Sequence, residues 1–325
     1  MRFVPKFTLD ILTEESFPTE IKGVEQELEP CLKSGFFDSF DGKKLYYEYF
    51  LTENAKASIV IVHGLSEFTK KFYEMTYYFL NKGFNVFIFD QRCHGLSVRL
   101  TDERDLLHVD KFDDYVADLS LFIDNVVLKT EDKPLYIYSH SMGGAVSALY
   151  LAKNSSKITK AVFSAPMFEP IVTVVPMPIA RGGVRVGRFF CGGKAKFPMS
   201  KEFNPEIPQN VEVDQSKARF EYNMNLRRNE PYYQSTPMSF GWTYGSLTVR
   251  RKIMKKKNIE RITTPILLLS SEKDKAVSNE AQVEFSQKSP SCEMVTIKNA
   301  THSMLSGNPE VLSEHINRVM SFFEG

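Results

Sequence analysis

Leu135-Tyr136-Ile137-Tyr138-Ser139-His140-Ser141-Met142-Gly143-Gly144 is the stretch whose reading decides the fold. Leu135 to Tyr138 reads as a buried strand, and a helix running through Ala145, Ala148, Leu149 and Leu151 follows the turn. A serine at the apex of such a strand–turn–helix has strained backbone angles and a hydroxyl that stands clear of the sheet, the geometry of a nucleophile elbow. Strand and helix come so close there that only small residues fit two positions to either side. Gly143 meets that demand, and Ser139 stands at the other position. The start of the helix aims backbone N–H groups, that of Met142 among them, at an oxyanion forming beside Ser141.

Working outward, short apolar runs alternate with amphipathic helical segments. Ser58–Val62, Asn85–Phe89, Ala161–Phe163, Ile266–Leu269 and Met294–Ile297 read as further strands, and Lys44 to Leu51 as an earlier, antiparallel edge strand. The expected fold class is α/β, a mainly parallel central sheet with helices on both faces. Asp110 is expected to cap a helix carrying Phe112, Tyr115, Val116, Leu119, Phe122, Ile123 and Val126 at helical spacing. Gly83 should stop a helix from about Lys70 to Lys82, and Asn308-Pro309 should open the last one.

The alternation breaks between Met167 and Asn258. Pro176, Pro178, Pro205, Pro208, Pro231 and Pro237 punctuate a stretch rich in aromatics, including Phe189, Phe190, Phe203, Phe240 and Trp242. The expectation is a core at 1–166 and 259–325 with a helical cap, or lid, inserted at 167–258. The cap has 16 Lys and Arg against 7 Asp and Glu, with charge concentrated at Arg250-Arg251-Lys252 and Lys255-Lys256-Lys257 and also at Arg181, Arg185 and Arg188. A solvated face explains such charge; so does a face resting on an anionic bilayer.

A serine hydroxyl needs a base at neutral pH. His302, between the last strand and the last helix, occupies the place that the order serine–acid–histidine requires. The acid should follow Ile266–Leu269, where Asp274 is preferred to Glu272 because Ala276-Val277 returns the chain to the core. His63-Gly64-Leu65 ends another strand, so the Leu65 N–H can join that of Met142 as a second oxyanion donor, with His63 as a structural residue. Asp90 to Ser97 reads as structural, Arg92 pairing a carboxylate and Gly95 relieving a tight turn.

A net charge of +1 gives no pull towards nucleic acid, and the four dispersed cysteines include no Cys-x-x-Cys pair that would suggest zinc. Met1 to Lys6 runs into Asp10, Glu14 and Glu15 without the apolar block of a signal peptide, and no apolar stretch is long enough to span a bilayer. The expected location is the cytoplasm, with any membrane contact peripheral.

Taken in order, His63-Gly64-Leu65-Ser66-Glu67, Asp90 to Ser97, Ser139 to Gly144, Asp274 and His302 resemble the monoacylglycerol lipase and lysophospholipase family of α/β-hydrolases. His108 to Leu119 and Ala165-Pro166-Met167 look most like its bacterial lysophospholipase branch. The resemblance implies ester hydrolysis of a single-chain lipid, without metal or organic cofactor, and places Glu67 at the polar, substrate-binding end of the pocket. Cys93 and Ser139 stand where the family usually has glycine, Phe68 where histidine is common, and Lys71 where arginine is usual. Rival readings are a peptidase or small-ester esterase on the same scaffold, or a non-catalytic ligand-binding protein.

Overall fold

The computed structural model describes residues 1–5, 11–205 and 215–325; Lys6, Asp10 and Pro208, used above, lie outside the described residues. The strands are β1 (Lys33–Asp38), β2 (Lys44–Phe50), β3 (Ala57–Val62), β4 (Phe84–Phe89), β5 (Leu135–His140), β6 (Lys160–Ser164), β7 (Ile266–Ser271) and β8 (Cys292–Ile297). The helices are α1 (Phe17–Leu28), α2 (Tyr73–Asn81), α3 (Asp113–Phe122), α4 (Leu128–Thr130), α5 (Met142–Asn154), α6 (Met177–Cys191), α7 (Lys217–Asn229), α8 (Phe240–Ile253), α9 (Lys256–Ile259), α10 (Asn279–Lys288) and α11 (Pro309–Glu324).

The strands form one sheet in the order β1-β2-β4-β3-β5-β6-β7-β8. β2 runs antiparallel to β1 and β4, and the neighbours from β4 to β8 are parallel. Every residue of β3, β4 and β7 is buried, which is why these strands read as unbroken apolar runs. Alternate side chains feed two cores. Val60, Val62, Phe87 and Phe89 pack with α3 and α5, whereas Ile59, Ile61, Val86 and Ile88 pack with α1, α2 and α11.

The topology positions the site. β3 lies between β4 and β5, so the winding reverses at β3, and a ligand crevice opens at the carboxyl ends of β3 and β5. The pairing of Val62 with Ser139 sets the chain after β3 beside the turn after β5.

Two expectations are corrected. Lys44–Phe50 is antiparallel but not the edge, because β1 pairs along its outer side. In β1 only Phe37 is buried, so its sequence has no apolar run to announce it. Asp110 does not cap α3: its Oδ1 faces His108 Nε2 at 3.2 Å, and the Lys111 N–H donates instead to Asp114 Oδ2 at 3.0 Å. The helix therefore starts at Asp113, and it passes into a π-helical turn at Ile123–Val127. Asn308 caps α11 as expected, its Oδ1 accepting from the Val311 N–H at 3.0 Å. Gly83, at φ +79°, follows the end of α2.

Between β6 and β7 lie α6, α7, a 3₁₀ turn at Pro231–Gln234, α8 and α9. α8 joins the main core through Trp242 and Val249. α6 packs on α8 through Val184, with Gly187 so near that an added Cβ would lie 2.3 Å from the Phe240 ring. α7 reaches α1, where Phe17 and Tyr222 meet edge to face at 5.6 Å. Among the described residues no helix is long and apolar enough to cross a membrane.

Candidate active site

Ser141 has φ 50° and ψ −117°, a strained conformation for a residue with a side chain. The turn is held by contacts that exclude larger residues. A Cβ on Gly143 would lie 2.0 Å from the Val62 carbonyl oxygen, and one on Gly144 would lie 2.5 Å from Pro166 Cβ. Ser139 fits the position usually given to glycine, its Oγ donating to the Val162 carbonyl at 3.2 Å. Cys93, also in a position usually given to glycine, keeps a left-handed φ of 63°.

His302 Nε2 is 2.8 Å from Ser141 Oγ, and its Nδ1 is 2.8 Å from Asp274 Oδ2. Asp274 Oδ1 accepts from the N–H groups of Ala276 and Val277 at 2.8 and 3.0 Å. Burial alone would raise its pKa, but the His302 bond and these N–H donors hold the carboxyl below its ordinary range. Glu272 does something else: its Oε2 accepts from the Asn299 N–H at 2.8 Å and so braces the loop leading to His302. An imidazole held this way can take a proton from Ser141 at Nε2 while Nδ1–H stays on the carboxylate.

Leu65 lines the same cavity as Ser141 and Met142 opens the helix directly after it; neither amide donates to a backbone acceptor in the turns and loops among the described residues. Glu67 organises the first of these segments. Its Oε2 accepts from the Gly64 N–H at 2.5 Å and faces His140 Nδ1 at 3.0 Å, while Lys71 Nζ reaches Oε1 at 2.5 Å. Burial opposes its charge, yet His140 and Lys71 hold the carboxyl well below the usual range. Both oxygens of Glu67 are thus engaged within the protein. His140 Nε2 in turn faces the His302 carbonyl oxygen at 3.2 Å, which ties this cluster to the histidine loop. The i,i+4 spacing of Glu67 and Lys71 is a sequence signal for the pair; nothing in the sequence signals the His140 link.

His63 is structural. Its Nε2 accepts from the Gln91 N–H at 2.9 Å, its Nδ1 donates to the Gly64 carbonyl at 2.8 Å, and burial pulls its pKa down to about 4. Arg92 pairs with Asp118, Nε at 2.6 Å and Nη2 at 2.8 Å. A Cβ at Gly95 would collide with the Asp90 carboxylate. Phe68 lies face to face with Tyr233 from the 3₁₀ turn after α7, ring centroids 3.9 Å apart at 3°.

A cavity of about 540 Å³ opens onto Ser141 and His302. One part of its lining is apolar, with Ile171, Val172, Trp242, Leu247 and Val277; Glu67, Lys71, His140 and Arg227 are polar. Glu67 is the only acid in this lining among the described residues.

Sheet order, elbow and crevice define an α/β-hydrolase. The chain belongs to the hydrolase family described as "Serine aminopeptidase, S33", whose model matches residues 53–309. It is 28% identical over 291 residues to a probable lysophospholipase L2 of Haemophilus influenzae, covering 83% of this chain and 88% of that protein. Lysophospholipase L2 of Escherichia coli K12 is 27% identical over 285 residues, covering 87% and 81%. Among solved structures, a soluble variant of monoglyceride lipase from Saccharomyces cerevisiae superposes with a TM-score of 0.71 at 16% identity, covering 90% of this chain and 96% of that one. That likeness is one of fold.

Proposed function

We propose that the chain hydrolyses carboxylic esters of single-chain lipids, lysophospholipids or monoacylglycerols, through an acyl-enzyme on Ser141. The observation that carries this is His302 set 2.8 Å from both Ser141 Oγ and Asp274 Oδ2. Ser141 attacks the ester carbonyl while His302 takes its proton and Asp274 fixes the imidazole tautomer. The Leu65 and Met142 amides receive the oxyanion. His302 then protonates the departing alcohol, and water repeats the sequence on the acyl-enzyme. Residues 167–258 act as a cap over the cavity, whose apolar lining suits an acyl chain. The names of the relatives favour this lipid class.

The family's description also suggests an aminopeptidase, which needs a free carboxylate for the substrate's ammonium group. Glu67, the one acid lining the cavity among the described residues, is already occupied by Gly64, Lys71 and His140, which argues against that reading.

We further propose a cytoplasmic enzyme that touches the membrane through its cap. Part of the cap charge singled out above is spent elsewhere: Arg181 and Arg250 pair with Glu169, Arg250 also with Glu284, and Lys252 with Asp113. The better support is α6, where Ile179, Val186, Phe189 and Phe190 face solvent, the two phenylalanines 82% and 78% exposed. Apolar groups on the outward side of an amphipathic helix, flanked by Arg185 and Arg188, fit the boundary of a lipid layer.

The test is fluorophosphonate labelling followed by peptide mapping, with turnover measured on lysophospholipids, monoacylglycerols, short esters and aminoacyl amides. Label should appear on Ser141, and Ser141→Ala and His302→Ala should stay folded and lose turnover by about three orders of magnitude or more. Near wild-type turnover by Ser141→Ala, or a preference for the amides, would overturn the reading.

A further inference from the structure

Cationic side chains of the cap generally have an acidic partner where they are buried. Arg219 donates to both oxygens of Glu74, and Arg181 to Glu169 at 3.0 Å. Arg227 differs. It lines the cavity that holds Ser141, yet no carboxylate pairs with it among the described residues. Its Nε donates to the Tyr233 carbonyl at 3.1 Å and its Nη2 to Thr236 Oγ1 at 2.5 Å, and its guanidinium lies 4.3 Å from the centre of the Phe203 ring.

A guanidinium has five N–H donors, and these bonds use two. Burial lowers its pKa to about 10, with Asp105 acting against the fall, so the group stays charged at neutral pH. The ammonium of Lys71, also in the cavity lining, is neutralised by Glu67 at 2.5 Å. Among the described residues, Arg227 is therefore a cation of this lining with spare donors and no carboxylate paired to it, Asp105 acting on it only through its charge. Leaving such a charge half-buried and unpaired costs stability unless a ligand completes it. The rigid fork of an arginine matches the oxygens of a phosphate.

Resting on the lipid-ester reading above, we infer that Arg227 is a specificity residue that receives the phosphodiester of the substrate's headgroup, so that the enzyme prefers lysophospholipids to monoacylglycerols. The acyl chain then lies along Val172, Leu247 and Val277, and the headgroup lies towards Lys71 and Arg227.

The experiment compares decanoyl lysophosphatidylcholine with monodecanoylglycerol, both as monomers, for wild type, Arg227→Gln and Arg227→Lys. Wild type should favour the phospholipid. Arg227→Gln should lose about 10- to 100-fold in kcat/KM on it, chiefly through KM, the worth of a hydrogen bond to a charged group. Turnover of the glycerol ester should stay within about twofold, because that substrate brings no anion for the arginine to meet. Arg227→Lys, which keeps the charge without the fork, should fall between. A merely structural arginine would lower both substrates together, and that result, or no loss on either, overturns the inference.

A second measurement needs no variant. Glycerophosphocholine should compete with monodecanoylglycerol in the wild-type enzyme, whereas glycerol and inorganic phosphate separate the contribution of the headgroup from that of free phosphate. Absence of competition by glycerophosphocholine overturns the inference even if the Gln variant does not fold. Failure of the fluorophosphonate to label Ser141 would sink the catalytic reading instead, so the two failures are distinguishable.

Discussion

The central sheet and the helices laid between β6 and β7 both have apolar area to hide, and they do so to very different degrees. β3, β4 and β7 leave no residue at the surface, and their side chains feed two continuous cores. α6 buries only Val184 of its fifteen residues and turns Ile179, Val186, Phe189 and Phe190 outward. The small cluster under α6 holds Val184, Phe240 and Leu247 as its buried members. A close-packed interior fixes reacting groups to a fraction of an ångström, whereas a thinly packed cap with apolar groups on both sides fits a surface that meets something else. Stability and reaction geometry belong to the sheet; on the proposal above, encounter belongs to the cap.

The sharpest way to break this comparison lies at the strand ends. Asp274→Asn should lower kcat by about three to four orders of magnitude, because an amide no longer fixes the His302 tautomer. Glu272→Gln, which loosens only the bond to the Asn299 N–H, should cost about tenfold or less. Initial rates on any ester substrate decide the matter, and the reverse ranking would move the acid's role to Glu272.

A smaller effect is expected on the cap. Phe189→Ser with Phe190→Ser should weaken sedimentation with lipid vesicles by about 10- to 100-fold, given roughly 1.5–3 kcal/mol for each fully buried ring and only partial burial here. Changing Lys255, Lys256 and Lys257 to Gln should reduce binding to anionic vesicles alone, and only at low salt. Hydrolysis of a short, water-soluble ester should be unchanged in both variants. If the lysines matter more than the phenylalanines, charge rather than the apolar face makes the contact.

The smallest effect concerns the core's own polar residues. Glu48 is buried, and burial first and then the neighbouring Asp90 push its pKa from 4.5 to about 7. The folded protein thus keeps a proton that the unfolded chain releases, so this group's contribution to stability is present below pH 4.5 and is lost as pH rises towards 7. Glu48→Gln should therefore melt higher than wild type near neutrality, by on the order of 2 kcal/mol or a few degrees in Tm, and the gain should vanish in acid. A gain of equal size at every pH would mean that packing rather than ionisation governs the site.

The same contrast explains what the sequence discloses. The buried strands and the elbow are legible because their constraints are local: unbroken apolar runs, and small residues at fixed offsets from Ser141. Asp274 and His302 are legible through chain order. β1 is not, since five of its six residues have some exposure and Gly35 interrupts it. α1 spaces Phe17, Ile21, Val24 and Leu28 at helical intervals, a signal that a reading centred on strands and motifs passes over. The link of Glu67 to His140 joins residues far apart along the chain, which composition cannot supply. Cap charge shows the same limit: Lys and Arg can be counted, but their pairing with Asp113 and Glu284 appears only in three dimensions.

The face-to-face contact of Phe68 with Tyr233 has a thermodynamic corollary. Phe68 adjoins Glu67, which holds the Gly64 amide, and Tyr233 belongs to the turn that also anchors Arg227. On the oxyanion and cap roles proposed above, lifting that turn would unstack the rings, so order in the loop and closure of the cap would share one free-energy term. Linkage is reciprocal: a ligand that draws the turn down tightens the loop, and an oxyanion mimic that orders the loop makes the turn harder to lift, by the same factor.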